Sequence, residues 1–129
     1  MTSVPPPVAA WHAIAETRDP AGLDDLLSDD VVFRSPAVHT PQIGKQLTTA
    51  YLSAAIVVLG PTLRYRRQWY ADRNAVLEFE AELDGLTVRG IDMLQWNDDG
   101  KLTEFTVMVR PAKGLNVLIE NMAAELFGS

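Results

Sequence analysis

The chain has 129 residues, 47 % apolar and 22 % charged, which fits one soluble domain with its own core and leaves no room for two. It has no cysteine, so disulfide frameworks, thiolate metal sites and cysteine nucleophiles are excluded together. The net charge of −6, from 11 basic and 17 acidic residues, argues against phosphate backbones and anionic membrane surfaces, and neither nucleic acid nor membrane is expected as a partner.

The opening Met-Thr-Ser-Val-Pro-Pro-Pro has no basic n-region and no long apolar run, so no signal peptide is expected and the compartment is read as cytoplasmic. No later run approaches the roughly 20 apolar residues of a membrane span. Residues 1–7 read as a flexible, extended lead-in. From Val8 the spacing Val8, Trp11, Ile14, Ala15 places one apolar face on a helix. Asp19-Pro20 ends it and opens a second helix as N-cap and first residue, with Leu23, Leu26 and Leu27 as its buried stripe. Val31 to Phe33 reads as a strand, stopped at Ser35-Pro36 because proline restricts the residue before it. After a loop over Val38 to Pro41, a third helix over Gln46 to Leu59 is expected to bury Leu47, Ala50, Tyr51, Ala54 and Val58. Gly60-Pro61 closes it.

The period then changes from 3.6 to 2. Thr62 to Tyr70, Ala75 to Leu83, Leu86 to Trp96 and Leu102 to Arg110 all read as strands. Asp72-Arg73-Asn74, Asp84-Gly85 and Asn97-Asp98-Asp99-Gly100 supply the turns between them. Such short links make consecutive strands antiparallel neighbours. Pro111 ends the last strand, and Leu115, Leu118, Ile119, Met122 and Leu126 give residues 112–129 the apolar face of a closing helix. The fold class expected is α+β over residues 1–129: a cone-shaped, curved antiparallel sheet with three N-terminal helices enclosing a pocket.

Within the sheet, Glu78, Glu80 and Glu82 alternate with Leu77, Phe79, Ala81 and Leu83, a solvated row behind a buried one. Arg64, Arg66, Gln68 and Tyr70 are expected on the same outer face, with the arginines pairing across strands to the glutamates. Leu63, Tyr65, Arg67 and Trp69 then point inward. The strand Leu86 to Trp96 is the informative one: Asp92 is the single charge on the face of Leu86, Val88, Gly90, Leu94 and Trp96. A lone buried carboxylate is costly, so Asp92 takes up a proton, lines a wet pocket, or pairs with an arginine such as Arg89 or Arg110. Proton-transfer sites use acids in such surroundings.

The run Asp29-Asp30-Val31-Val32-Phe33 before Ser35-Pro36, then Gly44-Lys45, and above all Gly90-Ile91-Asp92-Met93-Leu94-Gln95-Trp96-Asn97-Asp98-Asp99-Gly100-Lys101-Leu102, resembles the nuclear-transport-factor-2-like superfamily. That group includes ketosteroid isomerases and SnoaL-like polyketide cyclases, and the likeness runs over about Val8 to Arg110. The resemblance implies the cone fold, a pocket inside it, and often a sheet-to-sheet homodimer. By the same likeness Asp92 stands where ketosteroid isomerases keep the protonated aspartate of their oxyanion hole, Trp11 where they keep a tyrosine, and Ser35 where they keep the general-base aspartate. Serine there cannot shuttle a proton without an activating base.

Two readings of function stay open. One is a domain that binds a small apolar or polycyclic molecule without catalysis; the other is a cyclase- or isomerase-type enzyme with Asp92 as acid/base. In both, the pocket is expected to involve Trp11, Ser35, His39, Tyr51, Val88, Leu94, Trp96, Phe105 and Val109 around Asp92. His12 is expected at the surface or rim. No nucleotide, flavin or metal motif is visible, so no cofactor and no metal is proposed. A homodimer is expected through the outer face of the sheet, where Ile91 and Met93 beside Tyr70 make an apolar patch.

Overall fold

A computed structural model describes residues 3–127. Helix α1 (Pro6–Thr17) starts before Val8, because Pro6 and Pro7 occupy first-turn positions where a missing N–H costs nothing. Pro7 is buried, so the expected lead-in shortens to the residues before Pro6, of which residues 1 and 2 lie outside the described ones. Asp19 accepts from the Ala21 N–H as anticipated, but the helix it caps is only a 3₁₀ turn (Pro20–Gly22) and one turn of α2 (Leu23–Leu26). Leu27 already opens strand β1 (Leu27–Arg34). All three leucines of the anticipated stripe are buried nonetheless.

After the two-residue strand β2 (Gln42–Ile43) comes α3 (Lys45–Leu59), then β3 (Arg64–Ala71), β4 (Asn74–Leu83), β5 (Leu86–Trp96), β6 (Leu102–Arg110) and α4 (Ala112–Phe127). The strands form one sheet in the order β2-β1-β6-β5-β4-β3. The meander β3 to β6 is antiparallel as its turns require. Asp84 and Gly85 both have positive φ, 50° and 81°, which is what a two-residue hairpin loop with right-handed strand twist demands. The sheet is nevertheless mixed rather than wholly antiparallel, since β1 pairs parallel with β6. That pairing follows from the helical segment α3, which carries the chain across the sheet before β3 begins.

Two face assignments change. In α3 the buried residues are Thr48, Leu52, Ala54, Ile56 and Leu59, while Leu47 is 42 % exposed. Apart from three Thr and Ser, this helix is apolar on all sides from Leu47 to Leu59, so periodicity alone did not fix its rotation; contact with β1 and α4 does. In β3 the register shifts between Tyr65 and Gln68, so that Arg66 and Arg67 together oppose Glu78. This bulge inverts the alternation beyond it. Gln68 and Tyr70 therefore turn inward, and Trp69 stands outside, 50 % exposed. On the outer face Arg64, Arg66 and Arg89 all reach Glu80, and Arg67 pairs with Glu78, the cross-strand pairing that the alternation anticipates.

The concave face of the sheet is covered by α1, α3 and α4, and the core lies between. One cluster, with Val8, Trp11, Leu52, Leu77, Leu94 and Phe105, fills the end nearest α1. The other, with Phe79, Ala81, Val88 and Leu118, lies under α4. No described helix is long and apolar enough to cross a membrane.

Candidate functional site

Strand β5 presents Val88, Asp92 and Leu94 to the interior and leaves Thr87, Arg89, Met93 and Gln95 exposed, the faces that its alternation anticipates. Asp92 is 5 % exposed. It meets neither Arg89, which is held on the outer face by Glu80, nor Arg110. Its partner is a phenol: the Tyr65 hydroxyl donates a hydrogen bond to Asp92 Oδ2. Trp11 Nε1 in turn donates to the Tyr65 oxygen at 2.7 Å. Three residues from α1, β3 and β5 thus form one polar chain at the wall of an otherwise apolar space.

The packing that permits this runs through Gly90. Phe79 and Gly90 are register partners, and a Cβ on Gly90 would come within 2.5 Å of the Phe79 ring and 2.3 Å of the Met108 carbonyl oxygen. The Phe79 ring therefore lies over Gly90, with the Tyr65 ring edge-on against it at 6.3 Å between centroids. A glycine within a strand marks such a close approach. On its other side Tyr65 is met edge-on by His12 at 4.7 Å. His12 is half-buried and bonded through Nε2 to Gln68 Oε1 at 2.9 Å, instead of standing at the surface or rim. The inward turn of Gln68 beyond the bulge makes that contact.

Burial pushes the Asp92 carboxyl up from 3.8 to about 7, and the Tyr65 hydrogen bond, with the Trp11 N–H close by, offsets only part of the rise. The Tyr65 hydroxyl is pushed well above its ordinary value, first by burial and then by the charge and hydrogen bond of Asp92.

Asp92 and Tyr65 open onto a cavity of about 170 Å³. Its walls are Trp11 and Ala15 of α1, Phe33 and Phe105 of the sheet, Tyr51 and Ile56 of α3, and Met122 and Leu126 of α4. Of the residues expected around Asp92, Trp11, Ser35, Tyr51 and Phe105 line it. The others do not. His39 is exposed on its loop, and Val88 is sealed beneath Gly114 of α4. Leu94 is packed into the core, and Trp96 and Val109 are half-buried against the two core clusters. Ser35 Oγ accepts from the Ala37 N–H at 2.9 Å, closing a local turn. The sequence reading missed Tyr65 as a site residue. Its signal was an inward hydroxyl on β3, but the link to Asp92, 27 residues away, is diagonal across two strands and needs the sheet to be seen.

The family model of the SnoaL-like domain matches residues 8–105. The chain belongs to the SnoaL-like domain family. A steroid delta-isomerase from Pseudomonas aeruginosa has a similar structure at 39 % identity and a TM-score of 0.89, covering 94 % of this chain and 89 % of that one. A bacterial protein with a cystatin-like fold from Silicibacter pomeroyi matches at 27 % identity and a TM-score of 0.87, over 94 % and 85 %. A nuclear-transport-factor-2-like protein from Mesorhizobium loti, at 21 % identity and a TM-score of 0.72 over 81 % and 88 %, shares the fold. No curated protein matches the chain. As a SnoaL-like domain with the nuclear-transport-factor-2-like fold, the chain carries its polar triad on the inner wall of the cone, and the matched region stops short of α4.

Proposed function

We propose that this SnoaL-like domain binds a small, mainly apolar molecule in the cone without transforming it, the Asp92–Tyr65 pair holding the ligand's one polar group. The observation that carries this reading is an apolar cavity in which, among the described residues, Asp92 is the one acidic or basic side chain, with no second such group beside it to share the proton transfer. Moving a proton between carbons needs a group that takes it and gives it back. Ser35, in the position where the resemblance puts a base, is engaged in its own turn, and His39 is outside the cavity. A cavity of about 170 Å³ compares with roughly 150 Å³ for one that holds benzene. One or two fused rings fit, and a larger polycycle has to extend through the mouth.

Titration of the protein with naphthalene, followed by ring fluorescence, tests this. Saturable one-to-one binding is expected, lost in Ala55→Phe, which fills the cavity from α3. Absence of saturation up to the solubility of naphthalene, or undiminished binding by a folded Ala55→Phe, refutes it.

The second reading, an isomerase- or cyclase-type enzyme with Asp92 as acid/base, is favoured by the Asp92 carboxyl near 7, the range suited to general acid–base work at neutral pH. The similarity to a steroid delta-isomerase points the same way. The binding reading expects no measurable isomerisation of 3-oxo-Δ5-steroids; turnover abolished in Asp92→Asn decides for the enzyme.

We also propose a homodimer through the outer face of the sheet. The bulge in β3 puts Trp69, not Tyr70, beside that patch. Trp69, Val76 and Met93 are register neighbours across three strands, as are Ile91 and Met108 across two, and Trp69, Met93 and Met108 are exposed. A two-fold axis lays this patch on itself, with Arg110 and Glu82 at its rim available for pairing across the axis.

A further inference from the structure

The donors beside Asp92 are already spent. The Tyr65 proton goes to Asp92 and the Trp11 N–H goes to Tyr65, so the pair offers an incoming ligand an acceptor before it offers a donor. Asp92 Oδ1 accepts no hydrogen bond among the described residues. Among the described residues no cation compensates the carboxylate either: Asp92 is the only acidic or basic side chain they place in the lining. The remaining polar groups there, the Ser35 and Tyr51 hydroxyls, accept as readily as they donate. The rings of Trp11, Phe33, Tyr51, Tyr65, Phe79 and Phe105 line the same cavity. A buried carboxylate in an aromatic lining is complementary to a cation with an apolar body, which the ring faces attract as well.

We infer that the ligand class is a one- or two-ring primary amine, its ammonium paired with Asp92 Oδ1 and its rings held by Phe33, Tyr51 and Phe105. This rests on the binding reading above and adds the sign of the ligand's charge. A ketone or aldehyde, by contrast, requires Asp92 to be protonated and to turn its O–H toward the cavity. The two cases differ in proton balance. With its carboxyl raised to about 7, Asp92 exchanges its proton near neutral pH. Pairing with an ammonium therefore releases protons, and donation to a carbonyl takes them up. The other titratable groups near Asp92 are Tyr65, Tyr51 across the cavity, and His12 behind Tyr65; Asp92→Asn separates their share.

The test uses three probes of one shape: 1-naphthylmethylamine, 1-naphthylmethanol and 1-acetylnaphthalene. Each is titrated by calorimetry at pH 7 in two buffers of different ionisation enthalpy. The amine is expected to bind at least about tenfold tighter than the alcohol, as a charge-assisted bond does over a neutral one, and to release protons. In Asp92→Asn both the preference and the release are expected to vanish. An alcohol or ketone that matches the amine, or a ketone bound with proton uptake, overturns the amine assignment and leaves the binding reading standing. Failure of all three probes overturns both. The comparison among probes on the unaltered protein needs no variant to fold.

Discussion

Replacing Asp92 by asparagine probes the cost of the buried carboxyl directly. In the folded chain its pKa is raised from 3.8 to about 7 by burial; in the unfolded chain it returns to the ordinary range. Between those values the folded state binds more protons than the unfolded one, so the contribution of this group to stability is full at acid pH and is lost as pH rises through about 7. The displacement corresponds to about 4 kcal/mol. Asparagine keeps the shape and an acceptor for Tyr65 but does not titrate. Urea unfolding of both proteins at intervals from pH 4 to pH 8 gives the stability difference, in which every other shared group cancels. The excess of the original protein over Asp92→Asn is expected to shrink by about 4 kcal/mol across that interval. With a urea slope of about 2 kcal/mol/M, the two midpoints move relative to each other by about 2 M. A flat difference refutes the burial argument. A difference that grows with pH means that Asp92 is held ionised by a partner.

Tyr65→Phe removes a hydrogen bond that lowers the Asp92 pKa, so carbon-13 titration of the Asp92 carboxyl is expected to give a midpoint above that of the original protein. Gly90→Ala drives a Cβ into the Met108 carbonyl and the Phe79 ring, and denaturant unfolding is expected to register a loss of about 1–3 kcal/mol or more. Ile91→Glu places a charge in the outer apolar patch and is expected to convert a sedimenting dimer to a monomer; a clean monomer before substitution, or an unchanged dimer after it, counts against the sheet interface.

Much of the architecture was legible in the sequence because the meander strands are one-sided. In β4 every second residue from Ala75 to Leu83 is buried, and the intervening Glu78 and Glu80 find arginines on the facing strands. The same period placed Asp92 inside, and the two-residue turn Asp84-Gly85 fixed the register of β4 on β5. The rotation of α3 was not legible, since an almost wholly apolar helix has no single stripe to read. Nor was the β3 bulge: Arg66-Arg67-Gln68 interrupts the alternation, but only the pairing with Glu78 reveals that two residues share one partner.

That one acid stands on an apolar strand face, with an apolar interior around it, follows from local periodicity and the cost of burying charge. What that acid touches is set by the folded chain. Trp11, Tyr65 and Asp92 come from α1, β3 and β5, and no short-range pattern links them. Their meeting depends on the curvature of the sheet, on Phe79 lying across Gly90, and on α1 crossing the concave face at the depth where its indole reaches the phenol. Those distances are set by packing among residues far apart in the chain, which is why a site can be nominated from the sequence while its partners appear only in the folded protein.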